Sequence, residues 1–143
     1  MIKFFATGFY AGYCPVAPGT VGSLVGVVLS LIFPQNLYFQ ATIIGTSLLV
    51  GIPICSKVEK QFHRKDPSQI VWDEVVGIWI ALFFLPRNYK WIIAAFILFR
   101  CFDIWKKPFK SIEKLPGGYG IMLDDVAAGL SANLVLQSIR LLF

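Results

Sequence analysis

A long uncharged stretch constrains this chain more than any other feature. Between Lys3 and Lys57 there is no Asp, Glu, Lys or Arg, so 53 consecutive residues carry no charged side chain. A helix needs about 20 mostly apolar residues to cross a bilayer, and this stretch has room for two such helices and a turn. Over the whole chain 15% of the residues are charged, against about 25% in soluble domains. These features predict an integral membrane protein.

Five apolar segments are separated by prolines or by charged loops. They predict an all-α, polytopic membrane helix bundle with about four to five spanning helices, in which residues 1–143 form a single membrane-embedded domain. The apolar, Gly- and Pro-containing stretch before the first segment is typical of an interfacial helix followed by a turn. The predicted segments run from Gly19 to Phe33, Leu37 to Ser56, Ile70 to Leu85, Trp91 to Trp105 and Ile121 to Phe143.

The basic residues fall unequally on the two sides of this layout. With the N-terminus in the cytoplasm, nine Lys and Arg lie on the cytoplasmic side, and three (Arg87, Lys90 and Arg140) lie on the other side. Positive charge concentrates in cytoplasmic loops, so the N-terminus is predicted to be inside. The pI near 9.2 then reflects these loops and contact with anionic lipid, and nucleic acid is not expected as a partner.

The same topology brings polar side chains from four segments to the cytoplasmic face. A charge at the centre of a span costs roughly 2.5–3.5 kcal/mol on insertion scales, so charged residues persist mainly where they are paired, hydrated or used. Here they lie at segment ends, where a polar site stays hydrated. The residues predicted to converge are Thr20, Ser23, Asp73, Glu74, Arg100, Asp103, Asp124 and Asp125.

A divalent cation would allow these acids to lie together. Several carboxylates at close range cannot all stay ionised without a compensating cation, and an oxygen-only ligand set suits Mg²⁺. The alternative is a set of intramembrane salt bridges, for example between Arg100 and Asp103, which are one helical turn apart. Both interpretations remain open from composition alone.

Two Gly-rich stretches precede predicted helices. PVAPGTVGS (15–23) opens a helix near Thr20, and GGYG (117–120) precedes the last segment. A helix N-terminus with small residues offers amide N–H groups to an anion. Either stretch could equally be only a turn.

Several phosphate chemistries are excluded by inspection. The only histidine, His63, lies in a charged loop, so a mechanism with two histidines is absent. None of the three cysteines (Cys14, Cys55 and Cys101) is followed six positions later by Arg, which excludes a cysteine-phosphatase loop. Metal-assisted attack of water on a phosphate remains.

Four motifs together closely resemble the phosphatidylglycerophosphatase A family: PVAPGTVGS, DPSQIVWDEVVGIW, FRCFDIWK and PGGYGIMLDDVAAG. They occur in the family's order, from about Gly8 to Ala132. The resemblance implies a Mg²⁺-dependent lipid phosphatase of the bacterial inner membrane, with its active site on the cytoplasmic side. It would hydrolyse phosphatidylglycerophosphate to phosphatidylglycerol and phosphate.

The resemblance also implies roles for individual residues. Asp73 would bind the metal, hydrogen-bond to a residue that binds it, or act as a base. Arg100 and Lys106 would neutralise the phosphate. The sequence departs from the family at Lys106, which is followed by Lys107 before Pro108, so either lysine could take the family role. The implied catalytic residues are Asp73, Glu74, Arg100 and Lys106; the implied metal ligands are Glu74, Asp103, Asp124 and Asp125; the implied substrate-binding residues are Gly19, Thr20, Ser23, Arg100, Lys106 and Gly118.

Two other classes of protein are compatible with intramembrane acids. A small ion or metal transporter predicts charges through the depth of the spans, whereas here they cluster at one face. A structural membrane subunit predicts acids that only pair with Arg and Lys. The sequence does not predict an oligomer, and small residues such as Gly22 and Gly26 would serve packing within or between chains.

Overall fold

The computed structural model describes residues 1–105 and 107–143, and every regular element in those ranges is helical. The all-α prediction is therefore confirmed for the described part of the chain. Short 3₁₀ turns cover Ala11–Tyr13 and Lys107–Phe109. The α-helices are α1 (Ile2–Ala6), α2 (Pro18–Ile32), α3 (Leu37–Phe62), α4 (Trp72–Leu82), α5 (Tyr89–Trp105), α6 (Lys110–Glu113) and α7 (Gly118–Leu142).

Local sequence signals set where the long helices begin. Pro18 lies in the first turn of α2, where a missing N–H removes no helix hydrogen bond. Asn36 accepts the N–H of Tyr38 at 2.8 Å in front of α3, and Asn88 accepts the N–H of Trp91 at 3.2 Å in front of α5. Such caps each stabilise a helix by about 1 kcal/mol. These residues therefore fix the starts of three helices.

Helices α4 and α7 run in the same direction and approach each other through two glycines. A Cβ added at Gly129 would collide with the carbonyl oxygen of Gly77. One turn further along both helices, the side-chain amide of Asn133 donates to the carbonyl oxygen of Ala81 at 3.1 Å. The two pairs share the same sequence offset, so the helices keep a parallel register.

Extending this register one turn towards the N-termini pairs Asp73 with Asp125. Each acid precedes its contact glycine by four residues, and residues four apart lie on the same face of a helix. The close glycine contact therefore places two acids from distant parts of the chain side by side.

Helix α2 packs on α4 through its own small residues. A Cβ at Gly22 would lie 2.6 Å from Val71 Cβ, and one at Gly26 would lie 3.1 Å from the carbonyl oxygen of Val75. The indole N–H of Trp79 donates to the carbonyl oxygen of Gly26 at 2.8 Å. These glycines serve packing within the chain, which is one of the two roles expected from the sequence.

Helices α3 and α5 run opposite to α7 and pack on either side of the α4–α7 pair. The ring of Phe99 in α5 packs closely against Gly77 of α4, and a Cβ added at Gly77 would lie 2.6 Å from this ring. Near the end of α3, Ser56 Oγ accepts the N–H of Gly118 at 2.7 Å. Helices α2, α4 and α7 thus begin at the end of the bundle where α3 and α5 finish.

Two helices, α3 and α7, are long and apolar enough to cross a membrane by length and composition. At 1.5 Å per residue, the 26 residues of α3 and the 25 of α7 rise about 39 and 38 Å, against a hydrocarbon core of about 30 Å. Helices α2, α4 and α5 have 15, 11 and 17 residues, which rise about 22, 16 and 26 Å. The structure thus gives two candidate spans among the described residues and does not confirm four to five.

Replacing Gly129 with Ala is expected to destabilise the fold by about 1–3 kcal/mol, because the neighbour is a backbone carbonyl that a small side-chain movement cannot clear. Thermal unfolding in detergent measures the loss. The control is Gly45→Ala in α3, where an added Cβ meets nothing within 4 Å and the higher helix propensity of Ala leaves stability unchanged or raised. Equal melting temperatures for the two variants would contradict the close α4–α7 contact.

Candidate active site

Three acids from α4 and α7 meet at the end of the bundle where both helices begin. One carboxylate oxygen from each of Asp73, Glu74 and Asp125 lies within 4.8 Å of the other two. Asp73 is 7% exposed and Asp125 is 2% exposed. Oxygens of all three (Asp73 Oδ1, Glu74 Oε2 and Asp125 Oδ2) are buried with no hydrogen-bond donor among the described residues.

The donor set of this acidic cluster (Asp73, Glu74 and Asp125) fits a hard divalent cation. Ionised carboxylates at this separation repel one another strongly in a buried site. A cation bound by the unpartnered oxygens would remove that repulsion, and Mg²⁺ prefers such oxygen ligands. The cluster differs from the ligand set inferred from the sequence, since it contains Asp73 and leaves out Asp103 and Asp124.

Arg100 brings a positive charge to the same end of the bundle. Its Nη1 forms an ion pair with Asp103 Oδ2, three residues later on α5, and the side chains are 15% and 8% exposed. Arg100 Nε is buried and has no acceptor within the described ranges. The carboxylate of Asp103 is also close enough to those of Glu74 and Asp125 for their charges to interact. The Arg100–Asp103 pair considered from the sequence is therefore present, and it borders the acidic cluster.

The start of α2 reaches the cluster because residue 19 is glycine. A Cβ at Gly19 would collide with Glu74 Oε1 and would lie 3.2 and 3.3 Å from Arg100 Nη2 and Nη1. A larger residue would push this helix away from both side chains. Gly19 therefore allows the N-terminus of α2 to pack against one acidic side chain, Glu74, and one basic side chain, Arg100.

Most amides at the start of α2 are already used within the helix. The N–H groups of Thr20 and Val21 donate to the carbonyl oxygen of Ala17 at 3.0 and 3.2 Å. Pro18 has no N–H, so Gly19 is the position in this turn whose N–H has no acceptor inside the helix. At this helix start, the N–H of Gly19 is therefore the group that remains available to an anion.

Three other predicted site residues make contacts outside the acidic cluster. Ser23 is buried, and its Oγ donates to the carbonyl oxygen of Gly19 at 2.8 Å. Asp124 is buried, and its Oδ1 accepts the N–H of Asp125 at 3.0 Å. The N–H of Gly118 is bound by Ser56, about 10 Å along α7 from Asp125. Lys106 lies outside the described residues, so the choice between it and Lys107 stays open.

One sequence signal points to the pairing of Asp73 with Asp125. The segments DEVVG (73–77) and DVAAG (125–129) share an acid four residues before a glycine. The glycines make the close helix contact and the acids lie one turn away from it. The repeated spacing distinguishes Asp125 from its neighbour Asp124, which composition alone cannot do.

Replacing Gly19 with Ala is expected to lower catalytic activity, because a displacement of about 1 Å at a reacting site costs about 10²-fold in rate. The added methyl group would displace Glu74 and Arg100 together. The rate of phosphate release by the purified variant measures the effect. Gly45→Ala is the control for a glycine replacement remote from the site. Full activity of Gly19→Ala would show that α2 does not fix these two side chains.

The chain is similar to known proteins over nearly its whole length. A model of the family "Phosphatidylglycerophosphatase A" matches residues 4–140. No solved structure gives a significant match.

Three relatives illustrate the similarity. "Phosphatidylglycerophosphatase A" of Escherichia coli strain K12 is 37% identical over 140 residues, which is 94% of this chain and 80% of the relative. The protein of the same name in Haemophilus influenzae is 42% identical over 144 residues, which is 97% of this chain and 88% of the relative. The "Putative phosphatidylinositol-3-phosphatase" of Bacteroides thetaiotaomicron is 40% identical over 144 residues, which is 94% of this chain and 90% of the relative.

The family model and the relatives cover nearly the entire chain, including all four motifs and every residue of the acidic cluster. By this extent of similarity the chain belongs to the phosphatidylglycerophosphatase A family.

Proposed function

We propose that this chain is a Mg²⁺-dependent lipid phosphatase that hydrolyses phosphatidylglycerophosphate to phosphatidylglycerol and phosphate. Family membership supports phosphatase activity. The observation that carries the proposal is the acidic cluster, because its buried, unpartnered carboxylate oxygens lie beside an arginine at one end of the bundle. Opposite charges in close proximity are what a site for a metal and a phosphate requires.

Asp73, Glu74 and Asp125 would hold the cation. Magnesium supplies Lewis acidity, which offsets charge on phosphoryl oxygens and favours attack by water. Asp103 and Asp124 lie next to these residues and would tune the charge of the site. One group of three acids among the described residues is close enough to hold an ion, so the proposal places one cation there.

Arg100 would bind the phosphate group. Its guanidinium can donate two parallel hydrogen bonds to phosphate oxygens, and the ion pair with Asp103 holds the side chain in place. In the overall reaction water forms a bond to phosphorus and the bond to the glycerol oxygen breaks. The attacking water loses one proton and the glycerol oxygen gains one, so the net transfer is from water to the leaving oxygen, directly or through the solvent or a carboxylate of the site.

The membrane setting has support from the structure beyond the two long helices. Many large apolar side chains on helix surfaces are exposed, including Leu24, Val28, Leu49, Ile97 and Leu134, and such surfaces mark contact with lipid or with other proteins. We place residues 1–143 as one domain in the bacterial inner membrane, with four to five helices crossing and α1 at the interface. The N-terminus and the active site would lie on the cytoplasmic side.

The distribution of charge along the helices favours an enzyme over a transporter. The sequence from residue 75 to 102 contains no Asp or Glu, and neither does the sequence from 126 to 143. The far end of the bundle instead has Arg87 and Arg140, which donate to the carbonyl oxygens of Leu31 and Phe84. A permeation path would need polar groups along this depth.

The test is release of phosphate by the purified chain in mixed micelles. Phosphatidylglycerophosphate and phosphatidylinositol 3-phosphate are compared, because the name of the Bacteroides relative indicates the second lipid. The proposal expects Mg²⁺-dependent release from phosphatidylglycerophosphate, abolished by EDTA and restored by Mg²⁺. Preference for phosphatidylinositol 3-phosphate would replace the proposed substrate, and release unaffected by EDTA would overturn the metal requirement.

A further inference from the structure

An open apolar groove runs along the outside of α5 and includes Arg100 of the candidate active site. Its volume is about 740 Å³, within the range of about 300–1,000 Å³ that is usual for small-molecule sites. The residues that line it and carry the argument are Thr20, Ile97, Arg100, Cys101, Ile104 and Trp105.

Two polar residues line the groove, Arg100 and Thr20, and they lie where α2 begins. The remaining lining residues belong to α5 and are apolar or, like Cys101, nearly so. The buried Nε of Arg100 has no acceptor in the described part of the chain, and Arg100 lies next to Asp103 and Gly19 at the candidate site. A ligand with an anionic head and an apolar tail matches this arrangement.

The apolar part of the groove is open to the side of the bundle. Ile97 is 54% exposed, Ile104 70% and Trp105 59%, and α2 packs mainly on α4 and only lightly on α5. In a membrane these side chains would face lipid tails. A lipid could therefore enter between α2 and α5 without withdrawing its acyl chains from the bilayer.

We propose that this groove binds an acyl chain of the phospholipid substrate, with the phosphate held by Arg100 where the groove meets the start of α2. The inference rests on the proposed phosphatase function and adds the surface that selects a lipid over a soluble phosphate. Binding energy from this remote, non-reacting part of the substrate would position the head group at the acidic cluster.

The first experiment narrows the groove with Ile97→Trp. The control is Ile93→Trp, one turn earlier on α5, where the side chain is equally exposed at 53% but does not line the groove. The ratio kcat/KM is measured for dioleoyl and dihexanoyl phosphatidylglycerophosphate in the same detergent.

We expect Ile97→Trp to lower kcat/KM for the dioleoyl lipid by about tenfold, mainly through KM. The kcat/KM of this variant for the dihexanoyl lipid, and that of the control variant for both lipids, should stay near the wild-type values. Equal effects on the two lipids, or no effect on either, would overturn the proposal.

A second measurement does not depend on catalysis. Cys101 is exposed and lines the groove, whereas Cys55 is buried. In a Cys14→Ser background, N-ethylmaleimide should therefore alkylate Cys101 selectively, and dioleoyl phosphatidylglycerophosphate should slow this reaction more than the dihexanoyl lipid does. Protection without phosphate release would retain the groove and reject the phosphatase function. Release without protection would reject the groove alone.

Discussion

Replacing Asp125 with Asn should reduce kcat/KM for phosphate release by about 10³-fold, the upper end of the loss seen when one preorganised electrostatic group is removed. The amide keeps the shape of the side chain but removes the anionic oxygen that is buried beside Asp73 and Glu74. Phosphate release by the purified variant at saturating Mg²⁺ measures the loss. Asp73→Asn and Glu74→Gln are expected to behave in the same way.

The fold of Asp125→Asn should survive in the absence of metal. Two like charges 4 Å apart repel by about 4 kcal/mol at an effective dielectric constant of 20, so removing one of them should leave the melting temperature in EDTA unchanged or raised. Glu113→Gln is the matched control, because it removes one carboxylate charge outside the cluster and should retain activity. If Asp125→Asn loses fold and activity together, the acids are structural and the enzymatic account of the cluster is wrong.

Replacing Arg100 with Lys should lower kcat/KM by about 10²-fold while the protein remains folded. Lysine keeps the positive charge beside Asp103 but cannot donate two parallel hydrogen bonds to a phosphate. The loss is measured in the same phosphate-release assay. Circular dichroism and thermal unfolding check that the helices are retained.

The Arg100→Lys result separates a phosphate-binding role from a purely structural ion pair. If residue 100 served only to form an ion pair with Asp103, arginine and lysine would both form it, and activity would stay near the wild-type level. Arg87→Lys at the far end of the bundle is the matched control, since Arg87 donates to the carbonyl oxygen of Leu31 at 3.1 Å and lies outside the proposed site. Equal activity of the two variants would remove Arg100 from the mechanism.

The sequence predicted the positions of the long helices well because the membrane-like segments are strongly apolar. Each of the five predicted segments coincides with one of the helices α2, α3, α4, α5 and α7. The predicted ends are less accurate because apolarity reports burial in lipid and not helical conformation. Helix α3, for example, continues to Phe62 through Lys57, Glu59 and Lys60, which suit a helix but not the membrane core.

The early end of α4 could not be predicted from local sequence. The segment was expected to reach Leu85, but the helix ends at Leu82. The carbonyl oxygen of Phe83 accepts from the side chains of Asn133 at 2.8 Å and Gln137 at 3.2 Å, both far away on α7. These donors from α7, distant in sequence, satisfy the backbone that α4 leaves open.

The sequence predicted, from charge cost and topology, that acids from three segments meet at one end of the bundle. The structure brings Asp73, Glu74 and Asp125 together there, and their grouping follows from the packing of α4 and α7. Asp124 and Asp125 are adjacent, however, and a helix turns about 100° per residue, so only the parallel register of α4 and α7 decides that Asp125 joins Asp73. That register depends on Gly77 and Gly129, whose contact becomes visible only in three dimensions.

Helices α4 and α7 are proposed to share one divalent cation through Asp73, Glu74 and Asp125. The decisive experiment is titration of the purified protein with Mn²⁺, followed by electron paramagnetic resonance and by competition with Mg²⁺. We expect one site in the wild type and in Glu113→Gln, with affinity reduced by about tenfold or more in Asp73→Asn, Glu74→Gln and Asp125→Asn. Mn²⁺ binding of wild-type affinity in those three variants would contradict it.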